Sequence, residues 1–224
     1  MEDALAKLRA EDAPDSLLAH ALQWEERGWP DFAMYAPIFS AAPEAAVTGA
    51  EIGMESLAVA MRGDPGGAAE RSIGAAAALY GLDDPVAPEV ADAMAREMVA
   101  AHCDAIDVDT ARSMIGAQRL RDAALADAAL RARAYGDGGP VVVITGNGHA
   151  RRDRGAPAYL AAARPDLSIA SVGVIEVRDG VEDWAEYVAE EGAGPLFDYL
   201  WFTARAERED PCEAFLRDHG GRSE

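Results

Sequence analysis

One short stretch carries the clearest chemical potential in this chain of 224 residues: Gly146-Asn147-Gly148-His149, followed by Arg151 and Arg154. Glycines at alternate positions let the backbone come close to a ligand. A neutral imidazole can ligate a metal or haem iron or act as a general base, and guanidinium groups suit carboxylates and phosphates. We therefore predict a loop that binds a small anionic ligand around His149. The alternatives are a structural turn and a solvated run of arginines. We also expect Asp153 to pair with one of these arginines.

A second group of polar residues falls on one face of a predicted helix. Gln118, Arg121 and Asp122 are spaced i, i+3 and i+4, so they share that face with apolar neighbours. Polar side chains on a buried stripe need partners. We therefore expect either an internal structural network or the lining of a pocket that the glycine loop closes. His102, near the end of the preceding helix, is a candidate metal ligand or a residue that caps the helix C-terminus.

The elements that must present these residues predict an α/β fold. Four β-branched apolar residues begin at Val141 and follow a proline, so we predict a buried central strand there. The glycine loop would then lie at the carboxyl edge of a parallel sheet, where open α/β folds bind their ligands. Further strands are predicted at residues 46–50, 169–175 and 197–202. The result is a mostly parallel sheet with flanking helices, in a single domain over residues 1–224 with a large helical insertion at about residues 54–133.

The helices are predicted from capping residues and from apolar spacings of three and four. Asp15-Ser16 caps a helix that ends at Gly28, and a second helix begins at Pro30. Its aromatic residues make a face suited either to covering a sheet or to joining a homodimer. Further helices are predicted at residues 89–105, at 110–133 with a cap at Asp109, at 157–163, and on both sides of a breaker at 63–67, with a brief helical turn at 212–216.

The charge balance narrows the classes of partner. Forty acidic and 20 basic side chains give a net charge of −20, which disfavours nucleic acid and anionic membranes. No long apolar run and no signal-peptide pattern occurs, so we predict a cytoplasmic chain without a membrane span. Cys103 and Cys212 fit no metal-ligand spacing, and whether they pair is open. The glycine loop matches neither a dinucleotide fingerprint nor a phosphate loop.

Five blocks of the sequence together resemble the ChaN-like family of haem-binding uptake proteins, within the Tiki superfamily. The blocks are Trp24-Glu25-Glu26-Arg27-Gly28-Trp29-Pro30, Ala101-His102-Cys103, Ala117-Gln118-Arg119-Leu120-Arg121-Asp122-Ala123, Thr145-Gly146-Asn147-Gly148-His149-Ala150 and Phe197-Asp198-Tyr199-Leu200-Trp201-Phe202-Thr203. The resemblance implies an α/β sheet, a cleft at the strand ends, haem as the ligand and a role in haem or iron uptake. It carries the Gly-x-x-His pattern onto Gly146 and His149.

This chain departs from the family pattern in one block. Family members begin with a strand bearing Gly-Glu-x-His, and the present sequence starts downstream of it, so we expect a truncated start or a lost metal site. The leading hypothesis is a haem-binding protein, in which His149 or a nearby tyrosine meets the iron and Arg151 or Arg154 meets a propionate. The alternatives are a divalent-metal-dependent hydrolase with His149 as a ligand, and a non-catalytic remnant.

Overall fold

The computed structural model describes residues 2–136, 139–188 and 196–219. Within these residues, helices predominate over strands. The helices are α1 (Glu2–Ala10), α2 (Asp15–Ala21), α3 (Ala36–Ala41), α4 (Met54–Met61), α5 (Pro65–Ile73), α6 (Pro88–Ala101), α7 (Val108–Tyr135), α8 (Asn147–Ala150), α9 (Ala156–Ala163), α10 (Trp184–Val188) and α11 (Pro211–His219), with 3-10 turns at Phe32–Met34 and Gly74–Leu79. The strands are β1 (Val172–Glu176) and β2 (Tyr199–Thr203). None of the described helices is long and apolar enough to cross a bilayer.

The chain divides into two compact units, of which the first comprises residues 1–49 and 131–141. Its core is a small cluster of side chains from α1, α2 and the turn before α3, centred on Leu5, Leu18 and Phe32. The indole of Trp24 packs edge-on against Phe32, with ring centroids 5.2 Å apart. The predicted aromatic face therefore packs on helices, because the described part of this unit contains no strand.

The strand predicted at residues 46–50 is wrong. The carboxylate of Glu2 accepts hydrogen bonds from the Thr48 hydroxyl and, at 3.1 Å, from the Gly49 backbone N–H. These side-chain contacts satisfy the segment locally, so it needs no neighbouring strand. The predicted helical insertion consequently has no strand before it, and residues 54–133 follow an irregular segment instead.

The second unit comprises residues 50–130 and 142–224 and is built around α7. Leu57, Tyr80 and Leu120 belong to its main core, which alanines of α5 and α7 complete. A Cβ on Gly116 would meet the carbonyl oxygen of Ala60, so α4 and α7 approach too closely for any larger residue. The prediction of a single domain stays a prediction.

Helix α7 confirms the helix predicted at residues 110–133, but its cap differs from the predicted one. The carboxylate of Asp107 accepts a hydrogen bond of 2.7 Å from the backbone N–H of Thr110. That geometry satisfies one of the free N–H groups at the start of the helix. The predicted cap at Asp109 is therefore wrong, because the helix begins at Val108 and Asp109 already lies inside its first turn.

The two strands pair in parallel, with Val172 opposite Tyr199 and Val174 opposite Trp201. They confirm the strands predicted at residues 169–175 and 197–202. Each observed strand begins and ends slightly later in the sequence than the predicted one. A helix, α10, lies between them in sequence. The finding supports an α/β class with a small parallel sheet.

The central strand predicted at Val141 is wrong. Residues 139–146 contain no strand, and Val142 and Ile144 are 83% and 57% exposed. One reason is that β1 offers this segment no free edge to pair with. One edge of β1 pairs with β2, and a side chain forms hydrogen bonds with the other edge. The Asn147 amide donates to the Val174 carbonyl at 2.7 Å and accepts from its N–H at 3.2 Å. The amide thus takes the place of a neighbouring strand at the centre of that edge.

A disulfide joins Cys103, just after α6, to Cys212 in α11, with Cα atoms 5.3 Å apart. The question that the sequence left open is therefore answered, since the two cysteines pair. Cys103 has a left-handed backbone, with φ of 55°, which disfavours residues that carry a Cβ. Helix α11 also places Phe215 edge-on to the His102 ring, with centroids 6.2 Å apart. These contacts tie the C-terminal helix to the end of α6.

Candidate functional site

His149 lies on α8, the single helical turn that follows the irregular segment. The Asn147 amide fixes the start of this turn on β1, and the His149 backbone N–H donates to the carbonyl of Gly146 at 2.9 Å. The imidazole is directed toward α7, and its side chain is 22% exposed. Of the predicted loop residues, Asn147 thus anchors the turn and His149 presents a ring that solvent can reach.

The partner of His149 is the Asp122 carboxylate on α7, whose Oδ1 lies 2.7 Å from Nδ1 of the ring. The Gln118 amide nitrogen lies 3.1 Å from the same ring nitrogen. One ring nitrogen cannot both donate to the carboxylate and accept from the amide. The shorter, charge-assisted contact to Asp122 places the proton on Nδ1, so the lone pair is on Nε2. Nε2 has no partner within the described part of the chain.

The helical face predicted to carry Gln118, Arg121 and Asp122 is only partly assembled at this site. Gln118 and Asp122 both contact the His149 ring, and the choice between an internal network and a pocket lining stays a prediction. Arg121 is exposed, and its charge acts on Asp122 without a hydrogen bond to it. The i, i+4 pair therefore positions the histidine ring, and Arg121 lies outside the assembled contacts.

The Asp122 carboxyl is 1% exposed, and its pKa is raised to about 6 because burial removes it from water. The hydrogen bond and charge of His149 oppose this shift, and the charges of Arg154 and Arg121 oppose it further. Burial outweighs these attractions, so the Asp122 carboxyl keeps its proton to a higher pH than an exposed aspartate does. Such a buried pair orients a ring nitrogen for binding or proton transfer.

The arginine cluster after His149 is held by carboxylates. Arg151 makes two parallel hydrogen bonds to Asp153, of 2.8 and 2.6 Å, and a third to Glu97 of α6 at 3.1 Å. Arg154 pairs with the other oxygen of Glu97, and Arg152 with Asp198 at 2.6 Å. The expectation that Asp153 pairs with one arginine is confirmed. Burial alone would raise the pKa of Asp153, but the hydrogen bond and charge of Arg151 lower it below its usual value.

Glu97 is a site residue that the sequence reasoning missed. It bridges Arg151 and Arg154, which links α6 to the loop after His149. It lies one helical turn after the buried Met94, and this spacing is a signal that could have indicated a partner for a buried cation. The bridge leaves Arg151 almost fully buried and fully engaged, whereas Arg154 also borders an open cleft.

His102 occupies the C-terminal cap of α6, with Nδ1 2.7 Å from the carbonyl oxygen of Met98. This placement matches the capping interpretation. Across residues 2–136, 139–188 and 196–219, no three His, Cys, Asp or Glu side chains come together in a way that could hold a metal ion. The structure therefore does not bring His102 and His149 into one metal-ligand group.

A cleft of about 260 Å³ opens beside Arg154 in the second unit. Its lining is mostly apolar, and His149 is not part of it. The lining residues are Tyr80, Val86, Val90, Met94, Arg119, Asp153, Arg154, Ala158, Tyr159 and Ala162. The sequence reasoning missed Arg119 and Tyr159, although Arg119 stands within the block of α7 that also carries Gln118 and Asp122.

The fold and the site define a mostly helical α/β protein, in which a buried carboxylate orients a histidine next to an arginine–carboxylate network. Residues 1–160 match the model of the family described as haem-binding uptake, Tiki superfamily, ChaN. The chain therefore belongs to this family, as its sequence blocks indicate. Neither a curated protein nor a solved structure gives a significant match to it.

Proposed function

We propose that this protein binds haem and serves in haem or iron uptake, with Nε2 of His149 as the iron ligand. The observation that carries the proposal is the 2.7 Å contact between Nδ1 of His149 and the buried Asp122 carboxylate. Histidines that ligate metals commonly donate their other ring N–H to a carboxylate, which fixes the tautomer and raises the basicity of the ligating nitrogen. Family membership supports haem as the metal-bearing group.

The residues present fit such a group. Asp122 holds the proton on Nδ1 and keeps the lone pair of Nε2 directed outward, and Gln118 bounds the ring on the same side. Arg154 borders the open cleft and is the better candidate for a propionate, since Arg151 is buried against Asp153 and Glu97. Haem would supply an iron, whose chemistry depends on the residue that ligates it.

The test is a haemin titration of the purified protein, followed by the Soret band. Wild type is expected to show a saturable, one-to-one shift. His149→Ala should weaken haemin binding at least tenfold, whereas His20→Ala, which removes a histidine from α2, should bind as wild type does. Equal affinity of wild type and His149→Ala would overturn the assignment of the iron ligand. No saturable shift in wild type would overturn haem binding itself.

The metal-dependent hydrolase and the homodimer stay predictions. A hydrolytic metal site normally takes three protein ligands, and no observation on the described residues adds ligands to His149. Metal analysis of protein purified without chelator tests the first prediction, and sedimentation with and without haemin tests the second.

A further inference from the structure

We propose that the cleft bordered by Arg119 and Tyr159 is a binding site for a small amphipathic carboxylate. Apolar side chains from α6 and α9, including Val90, Met94 and Ala158, form most of its wall. Two polar groups in that wall, the Arg119 guanidinium and the Tyr159 hydroxyl, favour binding of an anionic oxygen. The cleft shares Arg154 with the haem proposal, but binding there does not depend on the proposed iron ligand, because His149 does not line the cleft.

The first of these groups is the Arg119 guanidinium, whose hydrogen bonds all go to neutral oxygens. Nη1 donates to the carbonyls of Leu82 and Asp84 at 3.1 and 3.0 Å, and Nη2 donates to the Gly81 carbonyl at 2.9 Å. Nε donates to the Tyr159 hydroxyl oxygen at 3.3 Å. Within the described residues, Arg119 has no carboxylate partner. These bonds fix the guanidinium rigidly and leave its positive charge uncompensated by an ion pair.

The other charged residues in the cleft wall are already neutralised in pairs. Asp153 is bonded to Arg151, and Arg154 is bonded to Glu97. Among the described lining residues, Arg119 is therefore the cation that has no carboxylate partner. A mostly apolar wall lowers the local dielectric and strengthens the attraction of that charge for an anion.

The second group is the Tyr159 hydroxyl. Its oxygen accepts from Arg119, so its hydrogen is left to donate, and no described residue accepts it. Burial raises the pKa of Tyr159, which keeps the phenol protonated and able to donate at neutral pH. A carboxylate oxygen in the cleft can accept this hydrogen while it lies next to the guanidinium. The phenol thus provides a hydrogen-bond donor, and Arg119 a positive charge, for the same carboxylate oxygen of the ligand.

The size of the cleft limits the ligand. A cavity of about 150 Å³ accommodates benzene, and drug-sized ligands occupy pockets of about 300 Å³ or more. A cleft of about 260 Å³ suits an acid with a short hydrocarbon chain or one aromatic ring. Octanoate is a probe of this class, and octanol is its uncharged counterpart of equal chain length.

The experiment is calorimetric titration of the haem-free wild-type protein with octanoate and with octanol at pH 7.5. Octanoate is expected to bind one-to-one and at least tenfold more tightly than octanol. Tyr159→Phe removes only the hydroxyl and should weaken octanoate binding about tenfold or more, as expected for a hydrogen bond to a charged acceptor. The matched control is Tyr135→Phe, since Tyr135 is 84% exposed and lies outside the cleft; its affinity should equal that of wild type.

A second variant, Ala158→Leu, fills the cleft from α9 and should abolish binding while circular dichroism shows an intact fold. Three results would each overturn the proposal: no heat with octanoate, equal affinity for octanol, or full octanoate affinity in Tyr159→Phe. His149→Ala should leave octanoate binding unchanged. Failure of this proposal can therefore be distinguished from failure of the haem proposal, which depends on His149.

Discussion

The buried Asp122 carboxyl predicts a specific dependence of stability on pH. Its pKa is raised from the ordinary 3.8 to about 6, because burial outweighs the hydrogen bond and charge of His149. Between about pH 4 and pH 6 the folded protein therefore keeps a proton that the unfolded chain has already lost. The contribution of this group to the free energy of unfolding is fully present below pH 4 and is lost as pH rises through 6.

The magnitude follows from the shift. A difference of about two pKa units, at about 1.4 kcal/mol for each unit, corresponds to about 3 kcal/mol. Asp122→Asn removes the titration but keeps a side-chain oxygen that can accept the N–H of His149. The unfolding free energy of wild type minus that of Asp122→Asn should therefore fall by about 3 kcal/mol between pH 4 and pH 7.

The assay is urea unfolding of both proteins at half-unit intervals of pH. Taking the difference cancels groups common to both proteins, including Glu2 and Asp153, whose lowered pKa values make wild type less stable in acid. Ser113→Ala, a change in the same helix that removes no titrating group, should give a difference that is flat with pH. A flat or rising difference for Asp122→Asn would refute the reasoning that burial dominates the charge pairing at this carboxyl.

Two further predictions concern the backbone near His149 and the disulfide. A Cβ at Gly155 would meet the carbonyl oxygens of His149 and, at 2.7 Å, Arg151, so Gly155→Ala should destabilise the protein by about 1 to 3 kcal/mol. Gly146→Ala, with no atom within 4 Å of its added Cβ, should change the free energy of unfolding by less than about 0.5 kcal/mol. Equal urea midpoints for the two variants would contradict this prediction. Cys212→Ser opens a covalent loop between residues separated by 109 positions, so it should lower the free energy of unfolding by about 2 to 5 kcal/mol. Dithiothreitol should destabilise wild type equally and leave the variant unchanged, and a wild type insensitive to reductant would contradict the prediction.

The sequence predicted well what local signals determine. Helix α7 and the strands β1 and β2 were found from apolar spacing and bounding residues, since those patterns act within a few positions. The i, i+4 spacing of Gln118 and Asp122 also predicted that both lie on one face of the helix, in agreement with their contacts with the same His149 ring. In each of these cases the signal and its structural consequence lie in the same segment of chain.

Other features depend on partners distant in sequence and could not be predicted in this way. The apolar run at Val141 has a strand composition, yet strand formation also needs a free neighbouring edge, and Asn147 occupies one edge of β1. Glu97 and Arg119 look like ordinary charged helix residues until the fold brings Arg154 and Tyr159 to them. Single-sequence patterns carry no information about such pairings.

The disulfide has a consequence for how the protein can mature. Cys103 and Cys212 are the only two cysteines in the sequence, so oxidation within one chain has a single possible product. Synthesis proceeds at about 5 to 20 residues per second, so Cys212 is made at least several seconds after Cys103. During that interval the thiol of Cys103 can form a disulfide only with a thiol of another molecule. Oxidative maturation therefore needs an oxidant and a low concentration of nascent chains, but no isomerase to correct wrong pairings. Such a bond persists in oxidising compartments and is rare in a reducing cytosol, so it bears directly on the predicted cytoplasmic location, which stays a prediction.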